Sequence, residues 1–144
     1  MGGGGGAGTN NNGTFWNPAT DTGGNNAGVY SAGAAGGAIV IIHAGSVIGT
    51  GTITSNGQTA RPVMNDGGGG GGAGGTIFIM ANSGGLSGLT ASAVGGNGGV
   101  TWPADAPGAF PGNRHGPGAG GGGGVIFASS APGSVNVSGG TPGW

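Results

Sequence analysis

The sequence predicts an all-β chain in which short strand pairs alternate with extended glycine segments. Three observations carry that expectation. Glycine supplies 45 of 144 residues, against a usual share of about 7%. At that density helix is disfavoured, because a glycine costs about 1 kcal/mol relative to alanine in a helix interior. The bulky residues are gathered into short β-branched and aromatic runs, the composition of strands. Those runs recur in a fixed order behind glycine stretches, as in repeat architectures.

In chain order, residues 2–8 (GGGGGAG) read as the glycine lead of a cassette. Three fuller cassettes overlay at residues 34–57, 72–99 and 121–140 of a single domain spanning 1–144. Each holds glycine, an apolar run, a small-residue turn, an alternating run and a glycine-rich close. The apolar runs are 39–42, 77–80 and 125–127, rich in Val, Ile and Phe and too short for helices. The partner runs 52–55, 89–93 and 135–138 alternate in period two, the mark of a half-buried strand. Turns at 82–85 and 131–134 are expected to fold each pair into a hairpin-like unit.

The glycine runs 2–6, 67–72 and 120–124 have two readings. One is flexible linker. The other is an extended left-handed helix of the polyproline-II type, whose side-chain-free surfaces pack backbone to backbone. Two features favour the second: the runs abut apolar strands with no polar spacer, and they recur at one cassette position. Three irregular segments, 9–30, 58–66 and 100–117, are read as occupying one place relative to the cassettes, just before a glycine run. Long loops on a repeat scaffold are often functional.

Val, Ile, Leu and Phe together supply roughly one residue in six, below the level of about 20% associated with disorder. Disorder also requires high net charge, and here it is -1. Only Asp21, Asp66, Asp105, Arg61 and Arg114 are charged, with no Lys and no Glu. Two cations are too few for nucleic acid or an anionic membrane surface. No run approaches the roughly 20 apolar residues of a membrane span. Met1 leads directly into glycine, without the pattern of a signal peptide. The absence of Cys leaves the redox compartment open.

Catalysis needs a titratable constellation, and little is available. His43 ends an apolar run and reads as a strand-edge residue. His115 with Asp105 is too small a set for zinc, and Asp66 or Asp21 with nearby Asn cannot complete a calcium shell. GxGxxG matches inside glycine runs lack the following helix of a nucleotide site, and no Walker lysine exists. We therefore expect no enzyme activity, no metal and no cofactor.

Trp102, Asp105, Phe110, Asn113, Arg114 and His115 form the candidate ligand-binding cluster. Exposed aromatics beside Asn, Asp and Arg suit recognition, with rings stacking on sugars; the other reading of Trp102, Phe110, Phe15, Trp16 and Tyr30 is that each pins a loop to the scaffold. Thr50, Thr52 and Thr54 alternate and form either a solvated strand edge or an ordered ice-facing row. Asn12–Gly13–Thr14 and Asn136–Val137–Ser138 fit the N-glycosylation triplet.

Residues 67–75 followed by 76–81, then 88–92 and 95–99, with the closing GGGGGVIFASSAPGSVNVSGGTPG over 120–143, carry a family resemblance. The pattern resembles glycine-rich repeat domains of phage tail-fibre and minor tail proteins and of large bacterial surface proteins. Polyglycine-sandwich tip adhesins look like the nearest case of packed glycine helices. The resemblance covers most of 34–143 and implies a scaffold that displays variable receptor-binding loops. The chain departs from it in its long non-glycine strand pairs. Snow-flea-type antifreeze proteins share the glycine richness, but a strict glycine-every-third pattern is absent here.

The expected function is that of a non-enzymatic structural or adhesive domain of an extracellular or virion-surface fibre. Its irregular loops would recognise a cell-surface glycan or protein receptor. The alternative is a self-assembling protomer of an extracellular filament, with ice binding a third class. Small repeat chains with open strand edges favour association, so a homo-oligomer is expected, either trimer or filament.

Overall fold

The computed structural model describes residues 2–8, 32–63, 67–101 and 116–144, and these residues are strand-rich with no helix. The six strands are β1 (Ile39–Ser46), β2 (Gly51–Thr54), β3 (Thr76–Ser83), β4 (Leu89–Ser92), β5 (Val125–Ala128) and β6 (Ser134–Asn136). The described residues are thus consistent with an all-β class, and every apolar run read from the sequence falls within a strand.

The pairing differs from a row of hairpins. The strands form two three-stranded parallel sheets, β1-β3-β5 and β2-β4-β6. The two strands of a cassette therefore never pair with each other; each pairs with its counterpart in the next cassette. The hairpin-like units expected from the turns are corrected by this topology. Parallel pairing keeps like residues on one face in register, so stacked cassettes build a continuous core. The registers show it: Val40 faces Ile77, which faces Ile126, and Ile42 faces Ile79, which faces Ala128.

The core lies between the sheets. Ile77, Ile79, Leu86 and Ala93 are buried, with Val40, Ile42, Val47, Ile53, Ala81, Leu89 and Ile126 packed around them. Strand alternation explains the choice, since successive side chains point to opposite faces. The middle cassette has neighbours on both sides, so Ile77 and Leu86 reach 0% exposure, whereas Val135 of the last cassette is 50% exposed.

The turns lie at one end, the tip. Gly49 and Gly84 adopt φ of 84° and 78°, in the region that side chains other than glycine rarely enter. The third cassette is shorter, with β5 ending at Ala128 while β3 continues to Ser83. Two serines serve the backbone that the missing residues would have served. Ala81 N–H donates to Ser129 Oγ at 3.0 Å, and Leu86 N–H donates to Ser130 Oγ at 3.2 Å.

The other half of the fold is glycine-rich. Three outbound segments, 32–38, 67–75 and 116–124, lead into β1, β3 and β5, while three return segments, 55–63, 93–101 and 137–144, follow β2, β4 and β6. Between them backbone donors recur at every third residue. Gly68, Gly71 and Gly74 donate to the carbonyls of Gly116, Ala119 and Gly122 at 2.8–3.0 Å. Gly118, Gly121 and Gly124 donate to Gly99, Gly96 and Ala93 at 2.7–2.9 Å. Segment 67–75 also bonds to 2–8, 32–38 and 55–63. Every N–H from Gly70 to Gly75 is thus satisfied by other backbone, as burial demands.

The same period decides where alanine is allowed. A Cβ at Gly118, Gly121 or Gly124 would collide with the backbone of Gly69, Gly72 or Gly75, but at Gly116 and Gly122 it would meet nothing within 4 Å. Ala119 sits on that open row. Segment 2–8 repeats the rule: a Cβ on Gly2, Gly5 or Gly8 strikes backbone, Gly3 and Gly6 face open space, and Ala7 lies off the crowded row.

Three boundary expectations change. Gly2 and Gly5 donate to Gly37 and Ala34, while Gly70 and Ala73 donate to Gly6 and Gly3, so 2–8 runs antiparallel to the outbound segments. It therefore has the direction of a return segment, not of a cassette lead. A glycine run carries no direction in its own residues; the polar stretch after Gly8 was the available signal. Residues 58–63, read as irregular, belong to a return segment: Gln58, Ala60 and Val63 donate to Ala35, Asn97 and Val100 at 2.8–2.9 Å. Residues 100, 101 and 116, placed in irregular segment 100–117, are held as well, with Gly116 accepting from Gly68 and Thr101 donating to Trp144 at 3.1 Å.

Candidate functional site

The outbound and return segments carry the chain between the tip and an opposite end. At that end the described residues bracketing 9–31, 64–66 and 102–115 come together. Val63 and Thr101 form a parallel bridge. Gly68 binds the Gly116 carbonyl at 3.0 Å. Gly8 lies so near Gly67 that a Cβ on Gly8 would strike the Gly67 carbonyl, and a Cβ on Gly33 would strike Gly5. All three segments thus leave from one end of a hydrogen-bonded frame. Their flanks Val63 and Thr101 are 1% and 3% exposed, so the departure points are fixed by packing.

The candidate cluster of Trp102, Asp105, Phe110, Asn113, Arg114 and His115 lies outside the described residues. So do Phe15, Trp16, Tyr30, Asp21, Asp66 and the Asn12 triplet. Among the described residues no group of three or more His, Cys, Asp or Glu is assembled. No described helix is long and apolar enough to cross a membrane.

A cleft of about 400 Å³ opens beside this end, between Ala32–Ala35 and Gln58–Arg61. Its polar edge is Gln58, Thr59 and Arg61, with Arg61 the charged side chain among the described residues. The sequence puts these three in the short irregular segment 58–66 and marks out only Arg61, as one of five charged residues. Their position on a return segment, facing a small-residue outbound segment, was not encoded in local pattern.

His43 is exposed on β1, with Nε2 3.4 Å from Asn82 Oδ1, and fits the strand-edge reading. Thr52 and Thr54 share an exposed strand face, while Thr50 falls in the turn before β2. The row broadens sideways instead: Thr52 aligns with Thr90 and Ser134, and Thr54 with Ser92 and Asn136. Part of this hydroxyl face is internally engaged. Ser92 Oγ donates to Asn56 Oδ1 at 2.9 Å, and Asn136 Oδ1 accepts from Ser138 N–H and Oγ at 3.1 and 2.8 Å.

No family model, curated protein or solved structure matches this chain.

Proposed function

We propose that the chain is a non-enzymatic display scaffold of an extracellular or virion-surface fibre. Segments 9–31 and 102–115 present receptor- or glycan-binding residues, with Trp102, Asp105, Phe110, Asn113, Arg114 and His115 as the recognition cluster. The glycine-rich repeats form a bundle of polyglycine-II-type segments, which supplies the rigidity that display requires. The observation carrying this reading is the convergence of the three loop-bracketing pairs at one end, away from the tip. Support for the bundle comes from backbone donors at every third residue, which match three residues per turn. The family resemblance of the cassettes points the same way.

A labelled full-length chain applied to a panel of bacterial cells and immobilised glycans tests the reading. Binding that is lost in Trp102→Ala and Arg114→Ala, with amide-exchange protection retained, is the expected result. Target binding unchanged in both variants would remove the cluster from recognition.

A second reading, a self-assembling filament protomer, draws on the open stack. Among the described residues β1 and β5 pair on one side only, as do β2 and β6. Such edges template further pairing, and head-to-tail addition of copies would not close.

A further inference from the structure

The outward face of the β1-β3-β5 sheet is apolar and uncovered by any described residue. Its three rows follow from the parallel register: Ile39, Thr76 and Val125; Ile41, Phe78 and Phe127; His43 and Met80. Exposure is 51% for Ile39, 72% for Ile41, 38% for Phe78, 42% for Met80, 47% for Val125 and 55% for Phe127. Phe78 and Phe127 already form a tilted ring pair with centroids 6.4 Å apart. Strand alternation demands polar residues on a solvated face, and the sheet beside it obeys, presenting Thr52, Thr54, Thr90 and Ser134 outward. The β1-β3-β5 face breaks that rule in every cassette.

We propose that this face is a homodimer interface and that its occupant is the same face of a second copy, related by a two-fold axis running along β3. Area is the first argument. The six exposed apolar side chains offer on the order of 600 Å² per copy, at the top of the range for a monomer's largest patch. Doubled, that reaches the lower bound of a specific interface, about 1,200 Å² in total. Self-complementarity is the second. An axis along β3 places β1 of one copy over β5 of the other, setting Ile41 on Phe127 and Ile39 on Val125, with Phe78 and Met80 each meeting their own copies. Apolar residues then meet apolar residues across the patch, at the spacing of about 10 Å usual for stacked sheets. An axis across the strands would instead bring the His43 row onto Ile39 and Val125. The third argument is chemical: the face carries no charge, and His43, Asn82 and Ser129 border it, giving the apolar centre and polar rim of an interface. Strands of the two copies run the same way, so both loop ends point in one direction. The interface does not depend on what those ends recognise.

Sedimentation equilibrium of the full chain at micromolar concentration tests this. The expected mass is that of a dimer, falling by half in Ile41→Asp/Phe127→Asp, with amide-exchange protection of the strands unchanged because both side chains are exposed. The native chain lacks Cys, so single replacements report the axis. Met80→Cys is expected to become disulfide-linked under mild oxidation, and Ile39→Cys to remain largely monomeric on a denaturing gel. A monomeric native chain, including one whose own residues 9–31 cover the face, overturns the proposal. So does a native assembly unaffected by the double aspartate variant, which would assign association to the strand edges. Equal cross-linking of Met80→Cys and Ile39→Cys overturns the axis.

Discussion

Between the two sheets, Ile77, Ile79 and Leu86 are hidden from solvent, and their side chains fill the gap that separates the backbones. Among the glycine segments, Gly71, Gly72, Gly96 and Gly99 are hidden too, but there the backbones themselves touch. The first half gains stability from apolar area removed from water. The second has almost no such area and relies on backbone hydrogen bonds between segments, each contributing a net of about 1 kcal/mol. The contrast teaches where each half is brittle: the strand half fails when atoms are removed, the glycine half when they are added.

Four substitutions test that contrast, from the largest expected effect downward. Gly72→Ala adds one methyl at a point where it would meet the Ala35 carbonyl backbone, and backbone cannot rotate aside. A loss of about 3 kcal/mol or more is expected from such overpacking, read as a lowered urea midpoint. A loss under about 1 kcal/mol would mean that the segments are not locked together. Ile77→Ala empties a fully buried site and should lose about 2–5 kcal/mol in the same measurement. Ser55→Ala removes a 4% exposed hydroxyl that donates to the Ala38 carbonyl at 2.6 Å; the expected loss is about 1 kcal/mol, with faster exchange at the junction of β1 and segment 32–38. Gly122→Ala faces open space and should be neutral or stabilising by about 0.4–1 kcal/mol, because alanine narrows the unfolded ensemble. If Gly72→Ala and Gly122→Ala shift the midpoint equally, the crowded and open rows do not exist.

The strands were legible because their signal is local. Ile39–Ile42, Ile77–Met80 and Val125–Phe127 announce themselves by composition, and the alternation in 135–138 marks β6. Pairing was not legible. Whether Ile41 neighbours its own cassette or Phe78 of the next depends on chain returning from a distance, and turns such as 82–85 serve either outcome. The direction of 2–8 was hidden for a similar reason, since glycine has no side chain with which to declare a facing. At the candidate site, the sequence identified which segments interrupt the repeat but not that Val63, Thr101, Gly67 and Gly116 gather their roots. The apolar outer face was half legible: Phe78 and Phe127 were read as strand residues, while their emergence on the side away from the core required the sheet.

The open row holding Ala119 has a consequence for how the gene tolerates slippage. Runs of similar codons gain and lose repeats during replication, and tract 120–124 is such a run. Loss of one glycine there would turn Ala119 by a third of a turn, onto the row of Gly120, where a Cβ strikes the Gly140 backbone. Loss of three would return Ala119 to the phase of Gly122, where space is free, but would carry Pro117 to the place of Gly120 and its Cβ into the Gly140 backbone. Deletions of one and of three glycines are therefore both expected to abolish the cooperative urea transition, so the length of this tract is held from both sides.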